Sequence, residues 1–437
     1  MTGPYSISGF SVGATPARWL LSQTTMTKQA QELTLAQRHV SLWLVTVLHA
    51  ITHIYQFALL PLYLAIRADL HLTGDWQATM LVTVQGVAYY IVSLPVGILA
   101  DKMSRKKLLA IGAFMNALAM LGLSYAPNYG WAIAWMAVAG LAGSFFHPAA
   151  TPLMVALFPE RPGWALGRAA IGAAFGFFIA PFYAGWRAQT AGWRQPCLEL
   201  AIAGVVAAVL FQLFAREPHD APHATARSAE HHTRNQWKML LAVALVAVAF
   251  SLRDFGASGI TTFNSLFLQR GLGFDAKTTG FFLGLMFLTG MLSNPLLGAL
   301  SDKRRFLAGG VTILCMAVFG VLIPWAPRAW IWLVLCVYGF FTLATYPIIE
   351  AALMESVPDV LRGRMFGMFI TIGGTISSFA HWAMGKVADS LQHRAAETNT
   401  ALAAGDFAPW YALLAALIAV SVIGIHGIRW LRKLQAT

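Results

Sequence analysis

About twelve consecutive stretches of roughly twenty mostly apolar residues leave this chain little choice of fold. Bounded by charges, prolines and glycines, they fall near 41–66, 76–100, 108–126, 131–157, 165–186, 196–215, 239–268, 278–300, 306–325, 330–355, 364–387 and 409–430. A helix of about 20 residues crosses the hydrocarbon core of a bilayer and satisfies its own backbone hydrogen bonds there. Strands of a lipid-facing barrel would alternate polar and apolar side chains over about ten residues, and these runs do not. The chain reads as an all-α integral membrane protein with about twelve transmembrane helices. Its composition agrees, with 58% of the 437 residues apolar and only 11% charged, against about 25% charged in a soluble domain. A soluble enzyme and a disordered or fibrous protein are both excluded.

Lys and Arg number 30 against 18 Asp and Glu, a net charge of +12. In a soluble protein such an excess would suggest nucleic acid as a partner. With the N-terminus placed in the cytoplasm, 21 of the 30 basic residues fall in the termini and cytoplasmic loops, 8 in the opposite loops, and Arg253 inside a span. Basic residues hold loops on the cytoplasmic side, so the bias predicts that both termini are cytoplasmic and that nucleic acid is not a partner. Cys197, Cys315 and Cys336 lie in apolar runs and read as small buried residues, not disulfide partners or zinc ligands. Residues 1–38 are polar, carry no signal-peptide pattern, and include a plausible later start at Met26. His219, His223, His231 and His232 sit at irregular spacing in a hydrophilic stretch, so they read as a solvated linker rather than a metal site.

That linker lies near the midpoint, and the halves on either side of it resemble each other. Gly97-Ile98-Leu99-Ala100-Asp101-Lys102 recurs as Gly298-Ala299-Leu300-Ser301-Asp302-Lys303. Pro148 pairs with Pro347, Pro159-Glu160 with Pro358-Asp359, and Gly167-Arg168 with Gly363-Arg364, all at offsets near 200 residues. The expected organisation is a cytoplasmic tail (1–38), a six-helix bundle (39–215), a cytoplasmic linker (216–237), a second six-helix bundle (238–431) and a C-terminal tail (432–437).

With the duplication, the loop after the second span resembles the signature of the major facilitator superfamily, Gly-x-x-x-Asp-Arg/Lys-x-Gly-Arg-Arg/Lys. It stands here as Gly97, Asp101, Lys102, Arg105 and Lys106, with Ser104 in place of the second Gly and a partial copy from Gly298 to Arg305 that includes Asp302. The resemblance implies the two-bundle major facilitator fold and a gating role for this loop. The fifth span is similar to the Gly-rich motif of drug–proton antiporters, kept as Gly167, Gly176, Ala180, Pro181, Ala184 and Gly185, which implies efflux by exchange with protons. His49-Ala50-Ile51-Thr52-His53-Ile54-Tyr55-Gln56 and Phe146-His147-Pro148 resemble the fosmidomycin-resistance-type exporters, although His53 stands where that group carries Asp.

Ionisable groups at membrane depth cost several kcal/mol unless paired or hydrated, so each marks a candidate site. His49, Thr52, His53 and Gln56 form one polar stripe on the first span, with the two histidines spaced i, i+4. Histidine titrates near physiological pH, which suits proton exchange. Arg253 either holds an anionic substrate or pairs with Asp254, Glu350 or Glu355, and Asp254 is the first choice for a proton-coupling carboxylate, with Glu350 second. His147, beside Pro148, is expected to line a cavity, and His381 to pack. The resulting expectation is an inner-membrane secondary transporter, a monomer, exporting a small drug-like or anionic compound in exchange for protons. It would need neither cofactor nor metal, only a proton gradient. An importer of an organic anion by proton symport and a non-transporting membrane receptor are the competing readings. No nucleophile–base pair points to an enzyme.

Overall fold

The computed structural model describes residues 33–100, 102–218, 236–358 and 361–435. Met26, Asp101, the four linker histidines and Asp359 lie outside the described residues. Those residues are helical throughout their regular elements. In chain order these are α1 (Leu35–Phe57), α2 (Tyr63–Asp69), α3 (Asp75–Ala100), α4 (Arg105–Ser124), α5 (Tyr129–Gly143), α6 (Phe146–Leu157), α7 (Pro162–Ala191) and α8 (Arg194–Phe214). After the linker come α9 (Gln236–Leu266), α10 (Ala276–Leu288), α11 (Gly290–Ser301), α12 (Arg305–Leu322), α13 (Ile331–Met354), α14 (Arg362–Glu397), α15 (Ala404–Val420) and α16 (Ile423–Gln435).

Local chemistry explains where helices begin and break. The first begins at Leu35, ahead of the apolar run, because Thr34 and Gln37 form a reciprocal capping box. It ends at Phe57, four residues before Pro61, whose missing N–H could not have bonded the Phe57 carbonyl. The fourth span is likewise two helices, α5 and α6, parted at Ser144–Phe145, where Pro148 leaves the Ser144 carbonyl without its helical donor.

Among the described residues, eleven helical segments are long and apolar enough to cross a membrane, against the twelve expected. The difference is the stretch 364–387, which lies within α14. This helix has 36 residues, ample for crossing. It is too polar to qualify by composition because it faces protein instead of lipid: Gly373, Gly374, Ser377 and Ser378 are buried between α3 and α9. Elsewhere large apolar side chains point outward, among them Leu241, Leu292 and Trp430, as a lipid-facing surface requires.

Two helix pairs carry most of the packing between the N-terminal and C-terminal halves, α3 with α14 and α7 with α10. Their glycines reveal an asymmetry. A Cβ on Gly385 would meet Thr79 and Trp76; one on Gly280 would meet the Pro181 carbonyl, and one on Gly185 the Ala276 carbonyl. At the other end of the same packing layer, Gly97, Gly167, Gly298 and Gly363 have no atom within 4 Å of where a Cβ would stand. The contact between α3 and α14 stays tight at Trp76 against Gly385, Gly86 against Ser378 and Tyr90 against Gly374, and then opens to 3.8 Å between Leu94 and the Gly367 position. The halves are sealed at the end bearing residues 70–75 and 398–403, and a cleft opens between them toward the end bearing Gly97 and Gly363.

Candidate transport site

On the N-terminal side of the cleft, the structure brings His49, His53 and His147 together. The i, i+4 spacing stacks the first two on one face of α1, with ring centroids 4.8 Å apart. His147 enters from α6, 5.2 Å from the His49 ring and 5.9 Å from the His53 ring. The nitrogens of the three can be chosen to lie within 4.8 Å of one another. His49 Nδ1 donates to the Ala169 carbonyl at 2.8 Å, and His53 Nδ1 donates to Gln56 Oε1 at 2.8 Å. Phe146 stacks on His49 and Phe177 lies against His53, so both rings are clamped. His147 is exposed although it lies at mid-span, so it lines the cleft.

The antiporter-like glycines explain how α7 comes close enough to contribute Ala169 and Phe177. At Gly176 a Cβ would stand 2.5 Å from the Ala50 carbonyl and 3.1 Å from His53 Cβ. Only glycine permits this approach. Gly185 and Pro181 perform a different task at the sealed end, against α10, while Gly167 packs on nothing. The four residues therefore do not form one packing surface.

The second cluster sits on the C-terminal half. Arg253 and Asp254, adjacent on α9, bend toward each other: Arg253 donates through Nε at 2.9 Å and Nη2 at 2.7 Å, both to Asp254 Oδ1. Arg253 is 1% exposed and Asp254 14%. The Arg253 guanidinium also lies 4.5 Å from the Tyr346 ring, a cation–π contact that holds it inside the bundle. Asp254 Oδ2 faces Gly373 of α14, and Glu350 and Tyr90 are electrostatic neighbours. Arg253 thus meets a carboxylate of its own helix and is itself buried. Glu355 takes no part; it pairs at 2.8 Å with Arg305, which also holds Asp302 at 3.0 Å. His381 meets Thr262.

Around the loop after α3, Lys102 is exposed, Arg105 buried and Lys106 half-buried. The N-terminus of α4 is capped by a residue that motif reading does not single out. Glu217, just past α8, accepts from the backbone N–H of Arg105 at 3.0 Å and of Lys106 at 3.3 Å, and from the Ser104 hydroxyl. A carboxylate at a helix N-terminus meets unpaired N–H groups and a favourable dipole. Ser104, the departure from the signature, serves as the N-cap, accepting from Lys107 N–H at 3.2 Å.

A second unforeseen cluster seals the closed end. The Asp75 carboxylate is fully buried and accepts from Arg67 at 2.8 Å, from Arg270 twice at 2.7 and 2.8 Å, and from Gln392 at 2.7 Å. Asp389 of α14 in turn accepts from the backbone N–H groups of Asp75 and Trp76 at 2.7 and 3.1 Å, capping α3 from the opposite half. Lys386 lies 3.8 Å over the Trp76 ring. Gln269 reaches the Pro61 carbonyl at 3.3 Å, and Ser265 donates to the Leu60 carbonyl. Except for the Arg67 bond, each of these joins one half to the other.

A helical bundle sealed at one end, cleft at the other and lined with ionisable groups is the architecture of a membrane transporter, not an enzyme. The sequence pattern of the Major Facilitator Superfamily matches residues 42–381, and this chain belongs to that superfamily, a multi-pass membrane protein. The multi-drug resistance efflux pump PmrA of Streptococcus pneumoniae is 27% identical over 320 residues, covering 70% of this chain and 78% of the pump. The fosmidomycin resistance protein of Escherichia coli is 22% identical over 342 residues, covering 76% and 82%. Among solved structures, a bacterial homolog of the human lysosomal transporter Spinster, inward-facing and unoccupied, shares the fold with a TM-score of 0.71. Its identity is 13%, over 92% of this chain and 96% of that one.

Proposed function

We propose that the protein is a proton-coupled exporter of small drug-like or anionic organic compounds, working in the inner membrane as a monomer with both termini cytoplasmic. One observation carries this reading: a cleft lined by His147 and overlooked by Asp254, sealed at one end by bonds that are all non-covalent. Breaking the Asp75 and Asp389 contacts while closing Gly97 and Gly363 onto their neighbours would present the same central residues to the other side, the logic of alternating access. Asp254 serves as the proton carrier, because its protonation would release Arg253 and its deprotonation would recapture it. The efflux names of the relatives, multi-drug resistance and fosmidomycin resistance, favour export over import.

The test is a resistance and accumulation screen in a bacterial host lacking its own exporters, with and without a protonophore. Export by proton exchange lowers accumulation of at least one compound and loses this effect when the protonophore is added. Raised accumulation would instead establish symport, and flux indifferent to the protonophore would refute proton coupling.

A further inference from the structure

Two of the three histidines share a property that proton exchange does not require. A carbonyl oxygen only accepts, so the bond to Ala169 fixes the proton of neutral His49 on Nδ1 and leaves Nε2 as a bare lone pair. That buried Nε2 has no hydrogen-bond partner in the structure. The bond to Gln56 Oε1 does the same for His53. Two imidazoles are thus oriented through Nδ1 with Nε2 free to ligate, and their rings and that of His147 lie 4.8 to 5.9 Å from one another. Imidazole lone pairs brought this close can together ligate one cation.

We propose that His49, His53 and His147 bind one divalent first-row transition-metal cation, with a coordination position left open toward the cleft. The geometry matches such a site in four respects. Histidines at i, i+4 on a helix are the spacing by which H-E-x-x-H helices hold zinc. Imidazole suits zinc, cobalt, nickel and copper, whereas calcium and magnesium require oxygen ligands. Ligands at 2.0–2.1 Å in a tetrahedron stand about 3.3 Å apart, so nitrogens already within 4.8 Å of one another need to close by only about 1.5 Å. A ligating histidine ordinarily donates its other N–H to a carbonyl or similar acceptor, the role Ala169 and Gln56 fill here. Neutral ligands leave the ion's charge uncompensated, so the open position favours an anionic group arriving through the cleft. This inference goes beyond the transport reading and does not depend on its direction or coupling.

Binding is measured on the purified full-length protein, tag removed and stripped with chelator. It is titrated with Co²⁺ and with Zn²⁺, followed by elemental analysis and by the visible absorption of Co²⁺. One ion per chain is expected, and X-ray absorption of the Co²⁺ form should show imidazole scattering from several ligands. The same stoichiometry should persist in the His219→Ala/His223→Ala/His231→Ala/His232→Ala variant, which removes the linker histidines. His147→Ala changes an exposed side chain and should abolish the stoichiometric ion at unchanged thermal stability. Gln56→Ala, which only frees the His53 ring, should weaken binding about tenfold or more. Absence of stoichiometric binding, an undiminished ion in His147→Ala, or loss of the ion with the linker histidines would overturn the proposal. Because no gradient is involved, a chain that exports without binding metal defeats this inference alone, and one that binds without exporting defeats only the transport reading.

Discussion

The seal at the closed end turns on one carboxylate, and Asp75→Asn is the sharpest way to test it. Asp75 is completely buried, and its two oxygens accept from Arg270 across the interface, from Arg67 and from Gln392. The amide keeps the shape but removes the charge on which two guanidinium groups converge. Breaking a fully buried ion pair on one side costs about 3–5 kcal/mol. Arg67 and Arg270 keep 26% and 24% of their side chains exposed, so water takes up part of the loss and about 2–3 kcal/mol is the fitting figure. In a conformation with this end open, all three groups would be hydrated and the substitution would cost little. The equilibrium between sealed and open ends should therefore move roughly 30- to 140-fold toward open. The assay is a distance distribution between spin labels at Thr73→Cys and Thr400→Cys, in a background with Cys197, Cys315 and Cys336 replaced, reconstituted in lipid. The parent should give mainly the short, sealed-end distance, and Asp75→Asn should populate a longer one. A correctly folded variant with an unchanged distribution would refute Asp75 as the latch.

Three further outcomes follow from particular contacts. Gly176→Val should lower the thermal unfolding temperature in detergent, at an overpacking cost of about 1–3 kcal/mol, because the Ala50 carbonyl and His53 Cβ stand where its Cβ would be. Gly167→Ala, with nothing within 4 Å, should be neutral, and equal losses at both positions would contradict the packing described. Asp254→Asn should abolish proton-driven flux and also destabilise the protein, since Arg253 would stay buried without its counter-charge. The double variant Arg253→Met/Asp254→Asn should recover stability but not coupling, and recovery of neither would show that the pair is not the source of the loss. Glu217→Ala should speed amide hydrogen exchange at Arg105 and Lys106 by an amount equivalent to about 1 kcal/mol, and unchanged protection there would remove Glu217 as the cap.

What the sequence makes legible, and what it hides, follows from how each feature is encoded. The spans are written locally, since lipid demands apolar side chains over a fixed length, and even the unusually polar 364–387 shows enough of that pattern to be found. His49 and His53 were legible because polar residues on an otherwise apolar helix stand out, and His147 because it precedes a proline within a span. Asp75, Asp389, Gln392 and Glu217 were not, because an acid or amide at a span end looks like any interfacial residue. Their meaning comes from partners far along the chain: Asp389 meets the backbone of Asp75 across 314 positions, and Glu217 meets Arg105 across 112. Pairing of Arg253 with Asp254 was one of several open partners, and the sequence could not choose it, since neighbouring side chains leave a helix about 100° apart and meet only if both rotamers bend. The single exporter-like glycine motif concealed a division of labour that only the neighbours of each glycine disclose.

The taper between α3 and α14 has a mechanical meaning. Contact that stays tight from Trp76 to Tyr90 and opens only beyond it, toward Leu94 and Gly97, gives the helix pair a fulcrum near its middle, around Tyr90 and Gly374. A helix of 26 residues is about 39 Å long, so each arm of this lever measures about 20 Å. A tilt of only 10° would carry each tip through about 3 Å, more than the 2.7 Å that separates Asp75 from Asp389 and from Gln392. Stiff arms would convert a slight turn at the centre into a parting at the rim, so an exchange of open rims by rocking would need no bending within either helix.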